Sequence, residues 1–399
     1  MKKLFVSMAF VLVAGSAFAQ MDAVKNATKA AGKGDFATAT SLIEQALNNP
    51  ETANLADTWF AAGQVQQKIS AKQLENQVKR QNYDENAMFN ASLQMVKYFL
   101  KADELPDAKG KMNAFTSKMA SAIKGDLGNL INGGVAAFNG GGEGSDARAL
   151  DFFGTYVDLA KAPMFAKDNL AADPQYVTIA YYAALAGIRS ENYAAVEKFA
   201  PMAQADAENG QNATEFLVEA YKKQGKTDQM MSVLKDALDK YPGNQAFFAN
   251  MIDYYTSNNK YDEAQAFADQ MIAKDSGNYF YNYVKGFLYS QQKDDDKAIE
   301  QYEQAIQKNP EYAQSYAELG KSWVLKAQDF SETAESNPTS PKFAEDAKTL
   351  RGFYEKAMPY LEKCRQLAPD NVSLWKQALS SVYYNLQMTD KYEEVQQAY

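Results

Sequence analysis

Cys364 is the single cysteine of this 399-residue chain, and histidine is absent altogether. Histidine-dependent bases, catalytic triads and metal sites are therefore excluded, and no internal disulfide can form. Cys364 stands in an apolar helical register, which suits a small buried hydrophobe better than a reactive thiol. The chain has 50 carboxylate side chains, yet no spacing singles out a pair for acid–base work. The run Gly140-Gly141-Gly142-Glu143-Gly144 lacks the Gly-Lys-Ser/Thr that completes a phosphate loop, and no strand pattern precedes it. It reads as a flexible link between helices. Asp294-Asp295-Asp296 lacks the alternating ligands, glycine and distant glutamate of a calcium loop. It reads as a turn and helix N-cap, where carboxylates favour the helix N-terminus. These absences point to a chain that is not an enzyme and needs no cofactor or metal.

Elements must then be sought that would make a surface instead of a reaction centre. Hydrophobic residues make up 46% of the chain and prolines number only 11, a composition of folded, helix-rich proteins. With Tyr279 as position 1, Gly286 falls at 8, Tyr289 at 11, Ala298 at 20, Tyr302 at 24, Ala305 at 27 and Pro310 at 32. The same frame, moved towards the N-terminus one repeat length at a time, gives further starts at Gln245, Gln211 and Val177. The spacing predicts pairs of antiparallel helices. Small residues at 8, 20 and 27 let the helices approach, and large ones at 4, 7, 11 and 24 fill the space between.

The pattern resembles the tetratricopeptide repeat, G-x2-Y followed by A-x3-F and a closing proline in a unit of about 34 residues. Lys285 departs from it, standing where the family has leucine. A further unit starts at Ala313, but Ala357 follows Trp323 by 34 positions where nine are expected, an insertion of 25 residues. Ser340-Pro341 reads as the N-cap and first residue of the inserted second helix, with Pro359 either kinking that helix or marking its start. A last unit starts at Val372. Residues 20–176 follow the pattern loosely. Gly34-Asp35-Phe36 marks a first turn, and Gly63 with Phe99 a second unit that carries an inserted stretch around 70–86. A third pair is expected near 111–139 and 145–162. The implied fold is all-α: a right-handed α-solenoid of antiparallel helix pairs in which two repeats carry elongated inserted helices.

The resemblance also implies a concave protein-binding surface lined by positions 2, 5, 9, 12 and 13 of each first helix. Here these include Tyr181 and Arg189 of the unit at 177, and Glu215, Glu219, Lys222 and Lys223 of the unit at 211. In the unit at 279 they are Phe280, Tyr283 and Phe287. The aromatic stripe serves either binding or packing within the repeat. The lysine and asparagine clamp of chaperone-binding members is not reproduced.

At the N-terminus, Lys2 and Lys3 precede an apolar run over 4–13, and Ala17-Phe18-Ala19 forms an A-x-A cleavage site. Residues 1–19 are expected to be a signal peptide, leaving a mature start at Gln20 and no lipoprotein cysteine. Removing Lys2 and Lys3 lowers the 41 basic residues to 39 against 50 acidic ones, a net charge of −11. That balance disfavours nucleic acid as a partner. Expected is an exported protein of the periplasm or the outer-membrane face, with no membrane span in its mature chain, that scaffolds other envelope proteins. The alternative is a carrier that holds glycans or small ligands in the aromatic-rich groove.

Overall fold

Helices in this chain begin where a short polar side chain can satisfy the free amides of a first turn. The computed structural model describes residues 21–398; the signal segment and the cleavage position before Gln20 lie outside the described residues. Asp35, Asn192, Asn244, Asn278 and Asp294 each accept a backbone N–H from the turn they open. Ser340 does so for Lys342, with Pro341 in the first helical position as the sequence predicted.

All regular structure among the described residues is helical. Helix α1 covers 21–32, followed by α2 (Phe36–Leu47), α3 (Ala56–Val78), α4 (Glu85–Asp103), α5 (Thr116–Gly140) and α6 (Ser145–Asp158). Three short 3-10 turns lead to α7 (Pro174–Arg189), α8 (Tyr193–Ala203), α9 (Gly210–Lys223) and α10 (Thr227–Lys240). Then come α11 (Gln245–Ser257), α12 (Tyr261–Lys274), α13 (Tyr279–Gln291) and α14 (Asp295–Lys308). The last four are α15 (Ala313–Thr333), α16 (Pro341–Leu367), α17 (Val372–Asn385) and α18 (Thr389–Gln396). Within each of the two units, odd and even helices pair antiparallel across short turns and sequence neighbours pack on one another, the arrangement of an α-solenoid. The described residues form two compact units that divide between Val233 and Leu234, inside α10. No described helix is long and apolar enough to cross a membrane.

The turn within each regular pair has one geometry. Glu191, Gly225, Asn259 and Lys293 hold the same place in successive repeats, and all have a left-handed backbone, with φ between 56° and 68°. The residue after each donates its N–H back across the turn, as from Lys226 to the Tyr221 carbonyl and from Lys260 to that of Tyr255. This is the six-to-one closure of a helix C-terminus, and a left-handed residue makes it possible.

In the first unit, Val24, Ala27, Ile43 and Val65 close the N-terminal helices over one apolar cluster. A larger cluster follows around Phe99, Met119, Ile123, Phe153 and Phe165. In the second unit, Tyr302 and Leu319 form one cluster, and Trp375, Leu361, Cys364 and Leu379 belong to another. Close approach is set by glycine. A Cβ on Gly63 would run into the Phe99 ring, one on Gly286 would sit 2.7 Å from Tyr302, and one on Gly320 2.5 Å from Leu361. In repeat numbering each is position 8 against position 24, so both insertions leave the packing register intact.

The insertions are elongated helices. α3 and α4 have 23 and 19 residues, and α15 and α16 have 21 and 27, against 13 or 14 in the regular pairs from α9 to α14. α16 runs unbroken through Pro359, which therefore does not mark its start. The outer part of this hairpin has its own packing: the Trp323 and Phe353 rings stack at 6.1 Å, and Phe330 meets Phe353 edge-on at 5.8 Å. Asp346, itself buried, accepts the Glu335 backbone N–H at 2.8 Å.

Candidate protein-binding groove

The first helix of each pair carries the residues that the repeat pattern nominated, six in the first unit and three in the second. In the first unit, Tyr181 of α7 is half-buried and stacks on Phe216 of α9, with ring centroids 5.7 Å apart. Arg189 reaches Asp146 of α6 at 3.1 Å and lies over the Phe138 ring of α5 at 4.4 Å. On α9, Lys223 pairs with Glu219 one turn earlier at 3.6 Å. Glu219, Lys222 and Lys223 are exposed, and Glu215 is half-buried. Tyr181 thus spends much of its surface on neighbouring helices, whereas Arg189, Glu219, Lys222 and Lys223 are all exposed.

In the second unit the aromatic stripe of α13 divides. Phe280 meets Phe248 of α11 edge-on at 6.1 Å and stacks with Tyr283 at 6.0 Å. Tyr283 also contacts Tyr302 at 5.9 Å and Tyr312 at 5.2 Å. Burial, with Glu318 nearby, holds its hydroxyl well above the usual phenol range. These two rings join α11, α13 and α14 together. Phe287 alone of the three is exposed, at 41%. Lys285, the departure from the apolar pattern, buries its stem and sets its ammonium 2.5 Å from Asp269 of α12. It fills a leucine position with methylenes and an ion pair.

A groove of about 420 Å³ lies where the first helices α13, α15 and α17 run side by side. Leu325, exposed at 41%, provides an apolar centre together with Leu374 and Ala378. Ser290, Gln328, Ser373, Gln377 and Ser381 supply a polar lining. Glu318 and Lys321 also line it and neutralise one another at 2.9 Å. Sequence reasoning did not nominate these residues. The positional rule covers Ser290, Lys321, Val324, Leu325 and Ser373, at positions 12, 9, 12, 13 and 2 of their units; it does not cover Leu374 or Gln377, which stand at positions 3 and 6 of the last unit.

This arrangement can hold a chain segment through one apolar contact and several hydrogen bonds. It offers no activated nucleophile. Cys364 is fully buried elsewhere, and burial pushes its thiol up to about 11. Among the described residues no group of three or more Cys, Asp or Glu side chains is placed to hold a metal ion. Of the acidic run, Asp294 caps α14 and accepts the Lys297 backbone N–H. Asp295 is half-buried beside Asp329, and burial raises its carboxyl above the usual range.

Residues 217–244 match the family model described as tetratricopeptide repeat, and residues 286–323 the one described as TPR repeat. The chain carries tetratricopeptide repeats. Among solved structures the TPR chain is similar to a TPR repeats protein from Bacteroides fragilis NCTC 9343, at 19% identity. That match covers 65% of this chain and 98% of the other, with a TM-score of 0.34. It is also similar to yeast Tom70, at 13% identity over 94% of this chain and 83% of the other, with a TM-score of 0.40. A MamA protein matches at 16% identity over 47% and 88%, with a TM-score of 0.33. Likeness at this level carries nothing about partners or chemistry. No curated protein matches the chain.

Proposed function

We propose that this chain is a non-catalytic, exported scaffold that holds other proteins of the cell envelope along the first-helix face of its TPR pairs. The observation that carries this reading is the groove of α13, α15 and α17, whose exposed Leu325 is ringed by hydroxyl and amide side chains. TPR pairs align their first helices into an extended surface that can hold a segment of a partner. An apolar centre inside a polar rim is the usual anatomy of such a contact. The envelope setting is supported by the sequence alone, through Lys2, Lys3 and the Ala17-Phe18-Ala19 site.

A photo-crosslinking residue at Leu325 in intact cells tests the reading, with the same residue at Lys356 on α16 as control. A discrete crosslinked protein is expected from Leu325 and not from Lys356, and Leu325→Asp should abolish its co-purification. Equal crosslinking from both positions would sink the groove as the binding surface. N-terminal sequencing of the envelope fraction should begin at Gln20, and finding Met1 on most molecules would remove the export part.

A further inference from the structure

The first unit holds a separate cavity of about 660 Å³ between α3, α4 and α5. Its apolar wall is Phe60, Leu74, Met95 and Phe99. Gln64 and Gln67 share the α3 stripe of Phe60 and Leu74, and Ser117 and Ser121 line the cavity from α5; none of these four side chains is hydrogen-bonded to the protein. At one end a buried polar chain runs from Ser70 to Ser92 at 2.9 Å and on to the Asn129 amide at 3.1 Å. Asn129 also donates to Asp126 Oδ1 at 2.7 Å. The other oxygen of Asp126, which lines the cavity, is shielded from solvent and has no hydrogen-bond partner. Burial raises this carboxyl above the usual range.

We propose that this cavity binds a neutral, polyhydroxylated ligand of mono- to disaccharide size. The volume lies within the ~300–1,000 Å³ of small-molecule sites. The charged residues lining it are Asp126 and Lys118, of opposite sign, so the lining does not recruit an ion. What remains are amides and hydroxyls, which both donate and accept, as sugar hydroxyls do. Phe60 is stacked between Phe115 at 4.3 Å and Phe99 at 5.7 Å, so the apolar contact open to the C–H face of a pyranose ring is Leu74, exposed at 47%. A ligand hydroxyl would satisfy the shielded oxygen only on a turn of the carboxyl about its terminal torsion, taking over from the Asn129 amide that now holds Oδ1 at 2.7 Å.

The test titrates the full chain with maltose, cellobiose, lactose and chitobiose by calorimetry, with glucose 6-phosphate and trilysine as charged comparators. At least one neutral disaccharide should bind saturably below 10 mM, on the order of the weak end of the affinity scale. Asp126→Asn and, separately, Gln64→Ala with Gln67→Ala should each weaken that binding by ~10-fold, one hydrogen bond's worth. Asp126→Asn should leave the melting temperature unchanged or raised, since burial already disfavours the charge, so lost binding would not reflect lost fold. No saturable binding by any of the four sugars, binding of a charged comparator alone, or affinity indifferent to both variants would overturn the proposal.

Discussion

At Gly320 the absent methyl group is what lets α15 lie against Leu361 of α16, since a Cβ there would come within 2.5 Å of that side chain. Gly320→Ala should cost ~1–3 kcal/mol by overpacking. Combined with Leu361→Ala it should cost less than the sum of the two single changes, because the truncated partner makes room. Urea denaturation of the three variants measures this, and strict additivity would contradict the contact. The rings of α13 separate in the same way. Tyr283→Ala should cost ~2–4 kcal/mol, as a packed aromatic does. Phe287→Ala should stay within ~0.5 kcal/mol. If the two changes cost the same, the division of the stripe is wrong. Cys364 gives a third check. Its thiol is buried and held up at about 11, so it is protonated and shielded at pH 8. A thiol reagent should label it far more slowly in the native protein than in denaturant; equal rates would place it at the surface.

At the scale of the helix, the regular pairs were legible because the packing recurs at one fixed interval and leaves small residues at fixed places. Gly286 and Ala298 announced their contacts by type alone. The turns were less legible. The left-handed residue of each turn is Gly225 in one repeat but Glu191, Asn259 and Lys293 in others, so nothing in residue type marks the shared backbone. The first-helix face was only partly legible for a related reason. Tyrosine and phenylalanine serve as well between helices as on a surface, and Phe280 and Tyr283 are identical in kind to Phe287 until neighbours such as Phe248 and Tyr312 are in place. Leu325 carried no signal beyond position, and Leu374, at position 3 of the last unit, lacked even that. In the inserted hairpin, Phe330, Phe353 and Asp346 pack against elements of the hairpin itself, which the insertion's length and its Ser340-Pro341 cap did not announce. Deleting 330–350 and closing with a short turn removes Phe330 but spares Gly320, Leu361 and the Trp323–Phe353 stack. The shortened protein should keep its helical circular dichroism and melt cooperatively; collapse of the whole second unit would show that the tip is structural.

For the molecule as a whole, packing between neighbours in sequence means that damage stays near where it is made. Ala298 is fully buried in the tight contact of α14, so Ala298→Asp places a charge there without a partner and should cost at least ~3 kcal/mol. Hydrogen exchange should then show faster amides in the second unit, from α11 to α18, while the helices α3 to α8 keep their protection. Loss of protection throughout would mean that the chain unfolds as one block.

The inserted hairpin of α15 and α16 behaves like a telescoping rod fixed at its base by Gly320 and Leu361. Two more turns on each arm, seven residues per arm, would move the tip outward by ~10 Å and turn the rings beyond by only ~20°. A single residue gained on one arm alone would turn everything beyond it by ~100° and pull Trp323 and Phe353 out of phase. Its reach is therefore free to vary between related chains only in paired steps of two turns, a vernier whose graduations are set by the helix and not by the stack beneath.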